Sequence, residues 1–517
     1  MKKVFYLIIL LSVILIQACK KDKAGSNSSG PPSTGSTLDK IKDSVYLYAA
    51  EDYLWNTSLP TYGTFNPRGF TNGNDLLSLT NELNALSQYA INPATNKPYE
   101  YSTDAPGVAK YSFIDTGAVT NELNGTNGDF GFAPLYQTTN DLRVKYVYPG
   151  SPADLHGIKR GYQITSINGN TNLSYDAPGY GSGTSVNLNY VINAYSNSSA
   201  ITMTLLKPDQ STMTVTLNTT NYTINPVLKD TVCTTANGHK VGYIVFNTFT
   251  ADANANPVLN AAFTKFTTQG ITDLVVDLRY NGGGYVATAE YLDNLIVPAS
   301  KSGTLMYNTY YNANLVAGKD PLLAHQWRKD PTSGKDFNYG QLDYSVAANV
   351  VNFAKQGSLN VSRVFFIITQ ATASASELAM NNLRPEMNVQ FIGETSYGKP
   401  VGFFDIDINK YEMFTPEFSV QNSAGQGGYY SGFTPGTTDY PGVIAIDDAT
   451  KEFGDPTENL LSTALNYVQT GTYSVQAPTI QSLASKSRVL SLQESNKMIL
   501  SLNKHKFTGM VLKVRKK

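Results

Sequence analysis

Cysteine and histidine are scarce in this chain of 517 residues: two Cys, at 19 and 233, and four His, at 156, 239, 325 and 505. Two cysteines cannot build a disulfide framework or a Cys-rich metal site. No two histidines stand at the His-x-x-x-His spacing of a helical zinc enzyme, so no metal or organic cofactor is expected. Charge is thin as well, at 15% of residues against roughly 25% in an average soluble domain. Lys+Arg (39) and Asp+Glu (40) nearly cancel to a net −1, which leaves no basic footprint and excludes nucleic acid as a partner. What is present is a 41% hydrophobic composition, enough for a sizeable core and incompatible with a wholly disordered chain. Thirty-four Tyr, with many Asn, Thr and Ser, supply the polarity. The length asks for about three or four structural units.

One apolar run stands apart. Lys2-Lys3 precedes Val4–Ile16, which is followed by Gln17-Ala18-Cys19. A charged start, a short apolar stretch and a small residue before the cut read as a secretory signal over 1–18, too short for the roughly 20 residues of a membrane span. Ile16-Gln17-Ala18-Cys19 resembles a bacterial lipobox, which implies lipidation of Cys19 and a lipid-anchored place in the cell envelope, most simply the outer membrane. An ordinary signal with a coincidental cysteine is the alternative. Lys20–Thr37 is rich in Lys, Gly, Ser and Pro, as expected of a tether over 19–38. Cys233 is then the only thiol of the mature chain and reads as an inert, buried side chain.

The body changes texture twice. Over 39–120 apolar residues recur at three- and four-residue intervals, in Asp43–Trp55 and Asn74–Leu86, which predicts an N-terminal helical domain. Over 125–225 short alternating strands surround Pro149-Gly-Ser-Pro-Ala153. Ser151 suits a helix cap and Asn168-Gly169 a two-residue hairpin turn. This run resembles a PDZ domain, which implies capture of a peptide C-terminus by strand addition at the loop Gly128, Phe130, Gly131 and Phe132. Tyr162 departs from that pattern, where the family usually carries Asp. From 230 to 472 apolar strands (Val241–Phe249, Leu274–Arg279, Arg363–Thr369, Val389–Gly393) alternate with helices (Pro257–Thr268, Ala287–Leu295, Ser374–Leu383), the pattern of a sheet covered on both faces. Residues 299–357 read as an insertion, and 473–517 as a peripheral C-terminal tail.

Three clusters sit at strand ends of this α/β region. Asp277-Leu-Arg279-Tyr-Asn281-Gly282-Gly283-Gly284 places three glycines after a strand, leaving backbone N–H groups that suit an oxyanion hole. A tight turn is the plain alternative, and a phosphate loop lacks its Lys-Ser/Thr. In Thr372-Ala-Ser374-Ala-Ser376-Glu377 a serine opens a helix. It is ordinarily a cap, and Ser374 with Glu377 fits a capping box, but a serine so placed can also be a nucleophile beside helix-end amides. In Gly393-Glu-Thr-Ser-Tyr-Gly398-Lys399, Lys399 precedes the apolar Pro400–Phe404. An apolar setting disfavours its charge, lowers its pKa and lets it act as a general base.

Together these clusters, with Gly242-Tyr-Ile244, resemble the C-terminal processing proteases of peptidase family S41, over about residues 125–470. The resemblance implies a ClpP/crotonase-like α/β catalytic domain joined to a PDZ domain, and serine endopeptidase activity on protein or peptide substrates. It implies Ser374 as nucleophile, because nucleophile and lysine stand 25 positions apart in that family, with Lys399 as base. Ala375 with Gly283 or Gly284 would form the oxyanion hole, and Asp277, Arg279 and Glu377 would support the site. Two departures stand out. Gly282 replaces a usual Pro, and Phe403 stands where many members place a Gln that orients the lysine. His239 is an outside candidate for a His-dependent site and otherwise a turn residue. A catalytically silent binding or scaffold protein of the envelope is the rival from another class.

Overall fold

The computed structural model describes residues 30–179, 182–330, 333–473, 502 and 507–512. The signal segment 1–18, Cys19 and the tether as far as residue 29 lie outside the described residues. Among the described residues, no helix is long and apolar enough to cross a membrane.

Helix α1 (Thr37–Asp52) starts where Ser36 and Asp39 cap each other: Ser36 Oγ accepts from the Asp39 N–H at 3.1 Å, and Asp39 Oδ2 accepts from the Ser36 N–H at 2.9 Å, a reciprocal capping box. Helix α2 (Asp75–Leu86) opens on Asn74. Ile41, Val45 and Ala49 of α1 and Leu79, Leu83 and Leu86 of α2 are buried in one cluster, as four-residue spacing requires. The region is not helical throughout. Strand β1 (Phe113–Asp115) pairs antiparallel with Tyr411–Phe414, stitching the N-terminal region to the far end of the chain.

Next come β2 (Phe132–Thr138), β3 (Asp141–Val147), β4 (Gln163–Ile167), α3 (Val186–Ser196), β5 (Ala200–Leu206) and β6 (Thr212–Asn218). The five strands form one antiparallel sheet in chain order, with β2 at an edge. Ile201, Met203 and Leu205 of β5 point into the core, while Thr202 and Thr204 meet Thr216 and Thr214 across the exposed face. Asn168 and Gly169 both lie at positive φ, 49° and 83°, as the two-residue turn demands.

The α/β region runs β7 (Val227–Thr234), β8 (Lys240–Phe246), α4 (Asp252–Gln269), β9 (Asp273–Asp277), β10 (Gly283–Tyr285), α5 (Val286–Ile296), β11 (Arg363–Ile368), α6 (Ala375–Leu383), β12 (Asn388–Gly393), β13 (Gly442–Ile444) and α7 (Asn459–Thr470). Its six-stranded sheet has the order β7-β8-β9-β11-β12-β13, parallel except for the β7–β8 hairpin. Alternate residues serve opposite faces. Leu274 and Val276, Val364 and Phe366, and Phe391 pack in the cluster that holds α4, α5 and α6. Val275, Phe365, Ile367 and Ile392 pack with Leu460, Leu461 and Ala464 of α7. Both faces are dry, so the strands read as unbroken apolar runs.

Two expectations need correction, and one segment left open by its sequence gains a place in a sheet. Helix α4 starts at Asp252, not at Pro257; the proline lies inside the helix at its sixth position, where it forgoes the bond to the Ala253 carbonyl. Residues 299–357 contribute the strand Leu305–Tyr311 to a sheet with Val350–Asn352, Phe418–Asn422 and Val401–Gly402. And the C-terminal tail is not peripheral where it is described. Strand β14 (Gly509–Val511) pairs in parallel with β10, and Met510 and Val511 are buried. The signal for this docking is a backbone ladder, which leaves no side-chain period to read.

Candidate active site

All three motif clusters lie at the carboxyl ends of parallel strands, where an open α/β sheet places its ligands. Strand β9 leads to the glycine turn, β11 to Ser374, and β12 to Lys399. His239, before β8, stands at the opposite end of the sheet.

Ser374 precedes α6 with φ 58° and ψ −105°, a conformation an L-residue adopts only under constraint, at a cost of about 1–3 kcal/mol. Ser376, its neighbour in the motif, has ordinary helical backbone and ties its Oγ to the Asn281 carbonyl at 3.0 Å. The strain falls on Ser374, the serine that stands 25 positions before Lys399, and not on Ser376. Its Oγ lies 3.5 Å from the Val401 carbonyl.

Glu377 is the organiser. Its Oε2 accepts the Ser374 N–H at 2.9 Å and the Lys399 N–H at 2.8 Å, so one oxygen holds both backbones. Its Oε1 accepts from Ser396 Oγ at 2.5 Å and from the Gly398 N–H at 2.7 Å. Burial raises its carboxyl above the ordinary range, opposed by these four hydrogen bonds.

Lys399 is fully buried, and burial pushes its amine well below the usual lysine range. Glu100, Glu377 and Glu417 oppose that shift from a distance, while Lys110 adds to it. No carboxylate forms an ion pair with Lys399 among the described residues. Its Nζ sits 3.7 Å from the centre of the Phe403 ring and donates to the Thr508 carbonyl at 2.7 Å. No hydrogen bond joins Nζ to Ser374 Oγ; the tail carbonyl holds the amine.

The glycine turn lies beside both. Gly283 and Gly284 have φ of 114° and 139°, and a Cβ would stand 2.0 Å from the Gly509 carbonyl oxygen at the first and 2.1 Å from that of Phe249 at the second. Only glycine fits. Asn281 fastens the turn to the serine loop, accepting the Ala373 N–H on its carbonyl at 3.0 Å. Its side chain accepts the Gly283 N–H at 2.9 Å. That engages Gly283, and Gly284 stands in the ladder with Gly509 and Met510, which leaves the first amide of α6, Ala375, as the candidate donor outside both.

Asp277 and Arg279 are not in contact with Ser374 or Lys399. Arg279 spends its guanidinium on Asp277 (2.6 Å), Asp447 (2.7 Å) and Glu458 (2.8 Å). Arg160, from the loop before β4, also binds Asp447 at 2.7 Å. This cluster joins the five-stranded sheet, the end of β9 and α7 behind the turn. Gly128, Phe130, Gly131 and Phe132 lie elsewhere too. Phe130 and Phe132 are core residues of the five-stranded sheet, and the Gly131 N–H is already bonded to Asp129 Oδ1 at 2.7 Å.

Residues from the N-terminal region, invisible to motif reading, reach the site. Tyr111 donates its hydroxyl to the Gly398 carbonyl at 2.6 Å, and Lys110 Nζ reaches the same oxygen at 3.2 Å. Glu100, buried, accepts from Tyr53, Tyr111 and Ser112. The aromatic density of residues 99–113 was the one available hint. A cavity of about 610 Å³ lies between Lys110–Asp115, the edge of β2, Tyr195 of α3 and the tail residues Phe507 and Thr508. Among the described residues no cluster of His, Cys, Asp and Glu could hold a metal ion.

Residues 240–426 match the family model of peptidase family S41. The chain is 26% identical over 287 residues to a carboxyl-terminal-processing protease of Picosynechococcus sp., covering 54% of this chain and 56% of that protein. It is 25% identical over 272 residues to a chloroplastic C-terminal processing peptidase of Tetradesmus obliquus, covering 50% and 48%. The chain thus spans about half the length of the curated relatives it matches. A crystal structure from Bacteroides fragilis NCTC 9343, described as an S41 protease candidate, has the same fold, with TM-score 0.55 and 23% identity over 86% of this chain and 99% of that one.

Proposed function

We propose, taking this chain as the member of peptidase family S41 that residues 240–426 make it, that it is a serine endopeptidase working through Ser374 and Lys399. Ser374 Oγ adds to the scissile carbonyl carbon as its proton passes to the neutral Lys399 amine. The resulting oxyanion is stabilised by amides of the glycine turn and of Ala375 at the positive end of α6. Collapse breaks the C–N bond, and Lys399 returns the proton to the leaving amine. Water then repeats the sequence on the acyl-serine, releasing the acid and restoring Ser374.

The observation that carries this reading is the strained Ser374, tied through a single Glu377 oxygen to a buried lysine without a carboxylate partner. Glu377 acts as a positioning group, and Asp277 and Arg279 hold the turn from behind. Substrates are unfolded or extended segments of envelope proteins, recruited along the edge of β2 beside α3, where Tyr195 donates to the Phe132 carbonyl, as in PDZ-type strand addition. Cys19 lipidation would keep the enzyme at the membrane.

Hydrolysis of a casein-like unfolded protein tests the reading, together with mass-spectrometric detection of a fluorophosphonate adduct. Ser374→Ala is expected to lower the rate on the order of 10⁴-fold or more and to abolish the adduct. A rate unchanged by Ser374→Ala, or an adduct on another serine, would sink it.

A further inference from the structure

The tail segment 507–512 runs beside the glycine turn and against Lys399. Gly509 donates its N–H to the Gly282 carbonyl at 2.9 Å, and the ladder continues in parallel as Gly283 with Gly509, Gly284 with Met510 and Tyr285 with Val511. The other edge of the segment is bonded too. Phe403 donates to the Met510 carbonyl at 2.9 Å and accepts from the Leu512 N–H at 3.0 Å. Residues 509–512 thus run between β10 and Phe403, with Lys399 Nζ on the Thr508 carbonyl just before them. The side chains are held as well: Phe507 and Val511 are buried among Tyr111, Tyr285, Phe403 and Phe414. Such two-sided main-chain pairing with apolar pockets is how extended peptides are recognised. The two positions where the motif departs from its family pattern both meet the tail. A Cβ on residue 282 would stand 2.2 Å from the Phe507 carbonyl oxygen, and Phe403 supplies both ladder bonds.

We infer that the groove between β10 and Phe403 is the binding site for an extended, uncharged apolar peptide, and that residues 507–512 of the chain itself occupy it as an internal competitive inhibitor. The inference rests on the peptidase reading and names its regulation. The tail carbonyl withdraws Lys399 from Ser374, and the tail backbone fills the ladder positions beside the glycine turn. Catalysis then requires that the tail leave, or that a substrate segment of similar chemistry displace it. Since only the tail-free fraction binds substrate, apparent affinity falls in proportion to that fraction.

Gly509→Pro removes the donor to Gly282 and forces a ring against Phe507 and Phe403, whose atoms stand 2.4 and 2.7 Å from the Gly509 Cβ position. Met510→Glu buries a charge in the same groove and serves as a second variant. Each is compared with the full-length wild type by thermal melting, fluorophosphonate labelling rate and casein hydrolysis. A synthetic peptide of sequence Phe507–Leu512 is added in trans. Losing one backbone hydrogen bond and its packing is expected to raise labelling and kcat/KM on the order of tenfold in the variants. The peptide should raise KM without changing kcat. Binding of the fluorescent peptide to Gly509→Pro carrying Ser374→Ala reads the groove without catalysis. Peptide binding without labelling of any form would refute the Ser374–Lys399 reading and leave the tail site standing. Equal labelling of folded wild type and both variants, with no peptide binding, would overturn the tail inference and leave the dyad untouched.

Discussion

Behind the glycine turn, Arg279 and Arg160 face Asp277, Asp447 and Glu458, so two guanidiniums meet three carboxylates at hydrogen-bond distance. In front of it Lys399 is buried just as completely, yet it meets a carbonyl oxygen and a phenyl ring. The two clusters sit at opposite sides of one short turn and obey opposite electrostatic rules. Paired charges stay ionised: burial alone would raise Asp447, but the two guanidiniums more than offset it and hold that carboxyl at about 2. An unpaired ammonium is pushed toward neutrality instead. One arrangement fixes geometry; the other makes a base available at ordinary pH.

The sharpest way to break this contrast is to remove one cation from each cluster. Lys399→Met is expected to lower kcat on the order of 10⁴-fold while raising the melting temperature, because a buried amine without a counter-charge is replaced by an apolar side chain of similar length. Arg279→Met should do the reverse for stability, costing about 3–5 kcal/mol by leaving Asp277 and Glu458 without their cation and Asp447 with Arg160 alone. Denaturant unfolding of the two variants beside wild type checks the pair. If both shift stability in the same direction, the distinction between a holding cluster and a reactive one fails.

pH separates them next. Asp447 is depressed, so its contribution is complete above the unfolded carboxyl value of about 3.9 and is lost as pH falls toward about 2. Lys399 is depressed in the folded state, so the unfolded chain binds the extra proton, and stability rises with pH up to the unfolded lysine value of about 10.4. Activity should rise with pH around the depressed folded-state value, where Lys399 loses its proton in the native enzyme, and level off above it while stability goes on rising. Acid melting curves and kcat/KM profiles measure the two limbs. An activity that is flat or falling from neutral to mildly alkaline pH would count against Lys399 as base.

How much of this was legible in advance follows from which forces leave a trace in sequence. The parallel sheet was readable because strands dry on both faces, such as Leu274–Asp277 and Arg363–Ile368, need unbroken apolar runs, and the glycines at 283 and 284 were readable because no other residue fits them. Helix boundaries followed the cap closely at Asn74 but slipped at α1, which starts after Ser36 and ahead of the apolar period of Asp43–Trp55, and at Asp252, where Ala251 offers no side-chain cap and Pro257 looks like a start. The role of Arg279 was blurred, since adjacency to the glycine turn in sequence suggests the site while its side chain turns away to α7. Tyr111, Lys110 and Glu100 could not be placed, because their contacts depend on long-range packing through the β1 ladder. The tail was misjudged for a related reason: it docks by backbone, and backbone carries no composition.

Lys110 offers the finest test of the difference between the clusters, because it perturbs Lys399 without touching it. Burial lowers the Lys110 amine to about 8, partly opposed by Glu377. Its charge repels the Lys399 ammonium and so contributes to the low value there. Lys110→Met removes that repulsion, so Lys399 should hold its proton more firmly and the activity profile should move to higher pH, with the plateau rate nearly unchanged. A purely structural role for Lys110, through its contact with the Gly398 carbonyl, would instead lower the plateau and leave the midpoint where it was. The paired cluster provides the control. Asp447 and Glu458 stand on the far side of the turn, so the acid limb of the stability curve should be the same in Lys110→Met and wild type. A midpoint that does not move, or an acid limb that does, would mean that the two clusters are electrostatically one, and the contrast drawn across the glycine turn would fall.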